Sequence, residues 1–293
     1  MDPHARPWRS VLYIPGSRQR ALEKAQGLPA DGIIFDLEDA VAPDEKAAAR
    51  AFLVHALPQM DYGLRARIVR INGFDSEWGR DDARLIAKAA PDAVLIPKVG
   101  SAADVQAVAE TLPDLPLWAM IETPKGVLNA AEIAAHPRMQ GFVLGTNDLM
   151  KELGCRFRAD RLPLMASLQM ALLAARAEGL VCLDGVFNAF KDDLGTKAEC
   201  EQGRDLGFDG KTVIHPRQIE IANRVFAPGP ADLEMARRQI EAYEAARAQG
   251  QGVAVVDGKI VENLHVATAR QVLAKAAAIA AMEAAPAARL EAS

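Results

Sequence analysis

Charged and polar residues follow most of the short apolar runs in this chain of 293 residues. Asp36, Glu38 and Asp39 end or follow the second run, and Arg70 lies near the end of the third. The later runs are followed by Lys98, Glu122, Asn147 and Asp148, Asp184, and His215. An ionised group near a protein core is costly unless it is paired or binds an ion. The pattern therefore predicts a functional site where the runs end, rather than scattered surface charge.

Glu122 and Asp148 are the candidate metal ligands, because they end neighbouring apolar runs. Two carboxylates, with the remaining positions left to water and substrate oxygen, suit Mg²⁺, with Mn²⁺ as the alternative ion. The His and Cys residues show no zinc-site spacing. A second interpretation stays open, in which both acids pair with Arg70, Lys98 or a neighbouring amide.

Arg70 carries a planar fork of donors that suits a substrate carboxylate. The alternative for Arg70 is a buried salt bridge to Asp36 or Glu38. Alternate residues of a strand point to the same side, so both acids can face one end of the fold. We expect these two acids and Asp39 to orient the arginine or a metal-bound water, and Lys98 to pair with them.

The elements that must position these residues are eight apolar runs alternating with Ala-rich helical stretches. The runs are residues 11–14, 33–36, 67–71, 93–97, 117–121, 142–144, 181–183 and 212–214. Continuous apolar runs are typical of parallel strands covered on both faces. Eight such units predict an α/β fold, a (β/α)8 TIM-type barrel over residues 1–226, with its chemistry at the carboxyl ends of the strands. An open doubly wound sheet is the alternative, but no GxGxxG follows the first run.

Residues 227–293 form a predicted C-terminal extension after the Pro/Gly-rich joint APGPADLE. A helix is predicted over 232–247 and another over about 265–282. Between them, two apolar runs flank Asp257-Gly258, a strong hairpin signal. The extension is therefore predicted to be helix–hairpin–helix.

Composition excludes several classes of protein. The chain is 50% hydrophobic, carries a net charge of −5, and has three cysteines without a CxxC pair. It shows no secretory signal and no apolar stretch of about 18 residues. These features predict a cytoplasmic protein with no nucleic-acid or membrane partner. Cys155 has no nearby His and no serine lies in a GxSxG elbow, so neither nucleophile is expected.

Seven segments carry a resemblance to a known family. They are RSVLYIPGS, IIFDLEDAVAPDEKAAAR, RIVRINGFDSEWG, LIPKV, WAMIETPKGVLNAAEIA, LGTNDL and GFDGKTVIHPRQI. In order and length they resemble the citrate lyase beta-subunit-like (HpcH/HpaI aldolase) family of CoA-ester enzymes, over about Arg9 to Ile279. The resemblance implies a TIM-type barrel with Mg²⁺, a CoA thioester such as (3S)-malyl-CoA as partner, and a homo-oligomer of three subunits or a multiple.

The same resemblance implies roles for individual residues. Glu122 and Asp148 match the metal ligands, and Arg70 matches the clamp on the acid group of the substrate. The CoA-lining positions are matched by Tyr13, Arg18 and Lys24, and a substrate-contacting pair by Ile214 and His215. From the residues alone, Arg18 and Lys24 fit either phosphate binding or a solvated helix face, and His215-Pro216 fits either a base or a helix start.

The C-terminal extension departs from the lyases of the family. Lyases typically carry an Asp in a GKMVD-type segment that is supplied to a neighbouring subunit as the catalytic acid/base. Here the segment reads GKIVE and ends in Glu262. The extra methylene moves the carboxylate by about 1 Å, enough to cost about a hundredfold in rate. Conservative drift with lyase chemistry intact is the alternative.

The resemblance therefore predicts Mg-dependent hydrolysis of (3S)-malyl-CoA to (S)-malate and free CoA, with Glu262 as the base. A malyl-CoA or citramalyl-CoA lyase is one alternative, and a citrate lyase beta subunit is another. A non-enzymatic binding module is the third.

Overall fold

The computed structural model of the chain describes residues 6–112 and 114–284. The chain divides into two compact units, one spanning Trp8–Phe226 and a smaller one formed mainly by the residues from Ala227 onward. Residues 285–293 of the predicted extension lie outside the described part of the chain. Among the residues that are described, no helix is both long and apolar enough to cross a membrane.

The larger unit is a closed barrel of eight parallel strands in sequence order, in which the first strand also pairs with the last. The strands are β1 Ser10–Pro15, β2 Gly32–Asp36, β3 Ala66–Arg70, β4 Ala93–Ile96, β5 Leu117–Ile121, β6 Met139–Leu144, β7 Val181–Asp184 and β8 Gly210–Val213. This confirms the predicted (β/α)8 TIM-type barrel and excludes the open sheet.

Helices connect the strands. They are α1 Gln19–Ala25, α2 Lys46–Ala56, α3 Gly79–Ile86, α4 Ala102–Thr111, α5 Pro124–Leu128, α6 Ala130–Ala134, α7 Thr146–Leu153, α8 Met165–Ala177, α9 Asp193–Leu206 and α10 Arg217–Phe226. Local signals explain several ends. Thr123 Oγ1 accepts the N–H of Gly126 at 3.0 Å and caps α5. Gly207, with φ of 108°, ends α9 in the left-handed conformation that favours glycine.

The barrel has two apolar layers, one inside the strands and one between strands and helices. The inner cluster comprises Trp8, Val11, Ile34, Ala66, Ile68, Ala93, Leu95, Trp118, Met120, Val143, Val181 and Leu183. The rings of Trp8 and Trp118 lie 4.8 Å apart between centroids. Gly141 is required beside them, because a Cβ there would lie 2.6 Å from Trp118 Cε3. Packed side chains thus close the interior and leave chemistry to the strand ends.

The smaller unit contains α11 Pro230–Ala248, the hairpin strands β9 Ala254–Val256 and β10 Lys259–Val261, and α12 Asn263–Ala284. The two strands are antiparallel. Asp257 and Gly258 join them with φ of 49° and 74°, as a two-residue turn with two positive φ angles requires. The predicted helix–hairpin–helix order is confirmed, and both helices are somewhat longer than predicted.

Candidate active site

Arg70 and Asp36 are cross-strand neighbours at the ends of β3 and β2. Arg70 Nε and Nη2 donate to the two Asp36 oxygens at 2.7 and 2.6 Å. Asp36 also accepts the backbone N–H groups of Glu38 and Ala40, each at 2.9 Å. Burial acts to lower the pKa of Arg70, but the Asp36 charge outweighs it and holds that pKa above its ordinary value. One edge of the guanidinium is therefore fixed in place by a bidentate ion pair.

The other end of the guanidinium faces further acids. Arg70 Nη1 lies 2.8 Å from Glu38 Oε2 and 3.7 Å from Asp39 Oδ2. Its Cζ lies 5.1 Å from the centroid of the Tyr13 ring. The buried salt bridges that the sequence left open are thus present. Nη1 is the nitrogen that a substrate carboxylate would reach by replacing Glu38, so the clamp role of Arg70 stays a prediction.

Lys98 links the acidic cluster to the next strands. Its Nζ donates to Glu38 Oε1 at 2.8 Å, which is the expected pairing. Its backbone N–H donates to Glu122 Oε1 at 2.7 Å. Lys98 adopts φ of 52°, a left-handed conformation that costs a non-glycine residue about 1–3 kcal/mol. The strained backbone thus places an N–H group on the Glu122 carboxylate.

Glu122 directly follows β5 and is almost fully buried, with 1% of its surface exposed. Burial, and after it the charge of Glu38, raises the pKa of Glu122 to about 8. Within residues 6–112 and 114–284, no Lys, Arg or His forms an ion pair with it. Gly145 closes directly over this carboxylate, because a Cβ at Gly145 would lie 2.3 Å from Glu122 Oε2. A buried carboxylate of this kind needs a proton or a bound cation.

Asp148 is not at a strand end, so that part of the sequence interpretation is wrong. β6 ends at Leu144, and Asp148 lies half-buried in the first turn of α7. Gly145 breaks the strand, and its carbonyl accepts the first helical hydrogen bond, from the N–H of Leu149. The Asp148 charge still contributes to the raised pKa of Glu122, after burial and Glu38. The Asp148 charge therefore adds to burial and to Glu38 in disfavouring the ionised form of Glu122.

This pair fits a hard divalent cation. The described residues contain no group of three or more His, Cys, Asp or Glu side chains placed to hold a metal. Two carboxylates, one of them buried without a cationic partner, are instead the donor set with which Mg²⁺ is commonly held, the other positions being taken by water and substrate.

The residues matched to CoA binding lie near β1. Tyr13 is on β1, beside Arg70, and burial raises the pKa of its hydroxyl. Arg18 precedes α1 and Lys24 lies in its last turn. Both are exposed, and neither has an ion-pair partner in the part of the chain that the structure describes. Phosphate binding and a solvated helix face both stay open for these two side chains.

Ile214 and His215 follow β8. Ile214 is 39% exposed. The His215 ring stacks on Phe190 at 4.5 Å between centroids, with 20° between the planes. His215 Nδ1 accepts the N–H of Arg217 at 3.1 Å, at the start of α10. His215 thus acts as a helix-start element. Phe190 was missed, since a single aromatic residue in a loop gives no signal of its partner.

Glu262 lies in the smaller unit, between β10 and α12. It is exposed, and its backbone N–H donates to His265 Nδ1 at 3.0 Å. Its carbonyl accepts the N–H groups of His265 and Val266 and begins α12. Its side chain forms no ion pair with any described residue. Within the described part of the chain the carboxylate thus has no ion-pair partner, and its catalytic role stays a prediction.

Asp184 is the strand-end acid that has a different role. It is fully buried and accepts from Arg161 Nη1 at 2.7 Å and from Lys211 Nζ at 3.1 Å. Lys211 also donates to Glu199 at 2.6 Å. Burial acts to raise the pKa of Asp184, but Lys211 and Arg161 outweigh it and lower that pKa. Asp184 thus belongs to an internal ion-pair cluster of two acids and two bases.

Comparisons with known proteins identify the family of the chain. The family model of HpcH/HpaI aldolase/citrate lyase matches residues 9–216. The chain is 68% identical to a (3S)-malyl-CoA thioesterase of Cereibacter sphaeroides (strain ATCC 17029 / ATH 2.4.9), over 97% of this chain and 100% of the relative. It is 36% identical to an L-malyl-CoA/beta-methylmalyl-CoA lyase of the same strain, over 95% and 98%.

A solved structure of CitE from Mycobacterium tuberculosis, in complex with magnesium, acetoacetate and coenzyme A, is similar with a TM-score of 0.78. It is 32% identical to this chain, and the match covers 94% of this chain and 99% of that one. The sequence match and the shared barrel point to the same group of proteins. The chain therefore belongs to the HpcH/HpaI aldolase/citrate lyase family.

Proposed function

We propose that this chain hydrolyses (3S)-malyl-CoA to (S)-malate and free CoA in a Mg²⁺-dependent reaction. The observation that carries this proposal is the 68% identity, over the full length of the relative, to a protein named for that activity. Identity to a lyase of the same family is 36%. A malyl-CoA or citramalyl-CoA lyase and a citrate lyase beta subunit are the alternatives that the experiments must exclude.

Glu122 and Asp148 would hold the ion. When bound, Mg²⁺ supplies positive charge that orients the oxygens of the substrate and stabilises charge developing on them. Glu122 is buried and has no cationic partner among the described residues, which supports this assignment, and so does the magnesium in the related CitE structure. Mn²⁺ would take the same two oxygen donors.

The substrate would be placed by residues around the same barrel end. Arg70 would bind the malyl carboxylate through Nη1, since Asp36 already occupies Nε and Nη2. Asp36, Glu38 and Asp39 would keep the guanidinium in position. The CoA part would lie along Tyr13, Arg18 and Lys24, with Ile214 and His215 beside the acyl end.

Glu262 would act as the base. It takes a proton from water while the water oxygen bonds to the thioester carbonyl carbon. The C–S bond then breaks, and the sulfur leaves as the CoA thiolate, which takes up a proton. The bond between C2 and C3 of the malyl group stays intact, whereas a lyase would break it and release glyoxylate and acetyl-CoA.

Residues 1–226 would form the catalytic barrel, and residues 227–293 would supply Glu262 to a neighbouring subunit of a cytoplasmic homotrimer or a multiple of it. Complementation tests this arrangement. Glu122→Gln and Glu262→Ala variants should each be inactive alone. If Glu262 acts in a neighbour's site, mixing and reassembling equal amounts of the two variants should restore activity to about a quarter of the wild-type level. A site is active only when one subunit supplies an intact Glu122 and its neighbour an intact Glu262, and each condition is met in about half of the cases. A mixture that stays inactive contradicts the proposal.

Product analysis tests the function itself. The purified protein is incubated with (3S)-malyl-CoA and Mg²⁺, and free thiol and glyoxylate are followed together. Hydrolysis predicts free thiol and malate in equal amounts, without glyoxylate. Glyoxylate and acetyl-CoA without free thiol would show a lyase. Glu122→Gln is the matched control, since it keeps the side-chain size and removes the charge.

A further inference from the structure

A cavity lies outside the residues assigned to the thioester site. Its volume is about 390 Å³, within the range of small-molecule sites. It is bordered by the first two turns of α7, the segment that leads into α8, and the loop after β7. Much of the lining is apolar, formed by Met150, Phe157, Pro163, Leu164, Val186 and Phe187.

Arg161 is the polar group that distinguishes this cavity. It lines the cavity with only 4% of its surface exposed. Its Nη1 donates to Asp184 at 2.7 Å, and its Nε donates to Gln202 at 2.6 Å. Its Nη2 is buried and has no acceptor among the residues that the structure describes. A buried donor without an acceptor is costly, and it makes this wall of the cavity polar.

The backbone of Arg161 is also unusual. Its φ of 52° and ψ of 23° are left-handed, a conformation that a non-glycine residue adopts at a cost and that is found often at ligand sites. The turn between α7 and α8 thus holds the guanidinium inside the fold, on the cavity wall, instead of letting it reach solvent.

The charge of the lining is positive. Arg156, Arg158 and Arg161 line the cavity, and Glu199 is its one acid. Glu199 is already committed to Lys211 at 2.6 Å, and Arg158 to Asp160 at 2.5 Å. Arg156 is exposed and forms no ion pair within the described ranges of the chain. Among the described residues, the charge at the cavity that has no ion-pair partner is therefore the positive charge of Arg156.

We propose that this cavity binds a small organic acid. The carboxylate of the acid would lie on the side of the cavity that the arginines line, and its carbon chain would lie among the apolar residues. Met150 and Phe157 would contact the chain, and Arg156, which lines the cavity and is exposed, would pair with the carboxylate. Asn147 also lines the cavity and lies next to Asp148 in α7. The acid is therefore either a free molecule or an acid-bearing branch of the acyl group of the thioester.

Calorimetric titration with hexanoate tests the site, with hexanamide as the neutral control of the same length. Both titrations contain EDTA and no CoA ester, so their outcome does not depend on the proposed hydrolase activity. Hexanoate should bind with a Kd at least tenfold lower than that of hexanamide. This ratio corresponds to a difference of about 1.4 kcal/mol in the free energy of binding. Equal affinity for the two probes, or no binding of either, would overturn the proposal.

Variants locate the binding. Arg156→Gln should raise the Kd for hexanoate by about threefold or more. Met150→Trp, which fills the cavity, should abolish binding of both probes. Arg247→Gln, an exposed arginine of the smaller unit, is the matched charge control and should change nothing. Binding that survives Met150→Trp, in a variant whose circular dichroism and melting temperature are unchanged, would place hexanoate elsewhere and contradict the proposal.

A final titration separates the two sources of the acid. The hexanoate titration is repeated in the presence of saturating CoA, malate and Mg²⁺. An unchanged Kd for hexanoate identifies a site for a free acid, and competition identifies a subsite for the acyl branch of the thioester.

Discussion

The raised pKa of Glu122 makes Mg²⁺ binding depend on pH. The metal-free carboxyl has a pKa of about 8, and only its ionised form can hold the cation. At pH 7 about one tenth of the metal-free protein is ionised at this position, and at pH 6 about one hundredth. The Kd for Mg²⁺ should therefore rise by about 100-fold between pH 9 and pH 6, which corresponds to about 2.7 kcal/mol.

Calorimetry in buffers of different ionisation enthalpy measures this directly. Binding at pH 7 should release close to one proton, and binding at pH 9.5 almost none. Glu122→Gln cannot titrate, so its residual affinity should show no corresponding slope. A Kd for the wild-type protein that varies by less than threefold between pH 6 and 9 would refute the buried, uncompensated carboxylate described above.

The same shift has a consequence for stability. The folded pKa lies above the ordinary value of 4.5, so the metal-free fold binds this proton more tightly than the unfolded chain does. The stability that the neutral carboxyl gives is full below about pH 4.5 and is lost as pH rises to about 8. Mg²⁺ should accordingly raise the melting temperature more at pH 8 than at pH 6.

Three substitutions test other parts of the site. Asp36→Asn leaves the buried Arg70 without its bidentate partner and should lower the free energy of unfolding by about 3–5 kcal/mol in urea titration; a loss below 1 kcal/mol would contradict that role. Glu262→Asp should raise glyoxylate relative to malate in a product assay, and malate as sole product at an undiminished rate would show that Glu262 does not set the outcome. Gly145→Ala forces a Cβ to 2.3 Å from Glu122 Oε2 and should raise the Kd for Mg²⁺ at least tenfold in calorimetry. A variant that binds Mg²⁺ with the wild-type Kd would contradict this role of Gly145.

The barrel could be predicted from the sequence because its signals are local and repeated. Most of the strands contain a short apolar run that is followed by a polar residue, and the run at 117–121 has the observed bounds of β5. The helix over Arg217–Phe226 begins after Pro216, as its sequence indicates. Such signals need no knowledge of what each element packs against.

The site was less predictable, because charge patterns do not reveal partners. Asp36 and Asp184 both end buried strands. Asp36 pairs with the neighbouring strand, whereas Asp184 is held by Arg161 from a distant loop. Asp148 was misplaced because the sequence does not show where β6 ends, and the hydrogen bonding around Gly145 places the following residues in a helix.

Buried space is still harder to infer. The cavity beside Arg161 is lined by α7 and the segment that follows it, by the loop after β7 and by Glu199 of α9, and nothing in the composition of any one of them signals a cavity. The unpartnered Nη2 atom is likewise a property of the packed fold. Both features emerge only when side chains have been placed.

The measurement that tests the central claim most directly is the fate of water oxygen. The protein is incubated with (3S)-malyl-CoA and Mg²⁺ in ¹⁸O-labelled water, and the products are analysed by mass spectrometry. Direct hydrolysis of the thioester predicts one ¹⁸O atom in the malate carboxylate that formed the thioester, and no labelled acetate. Glyoxylate together with acetyl-CoA, or with labelled acetate formed from it, would show that the carbon–carbon bond breaks first, and would contradict the account.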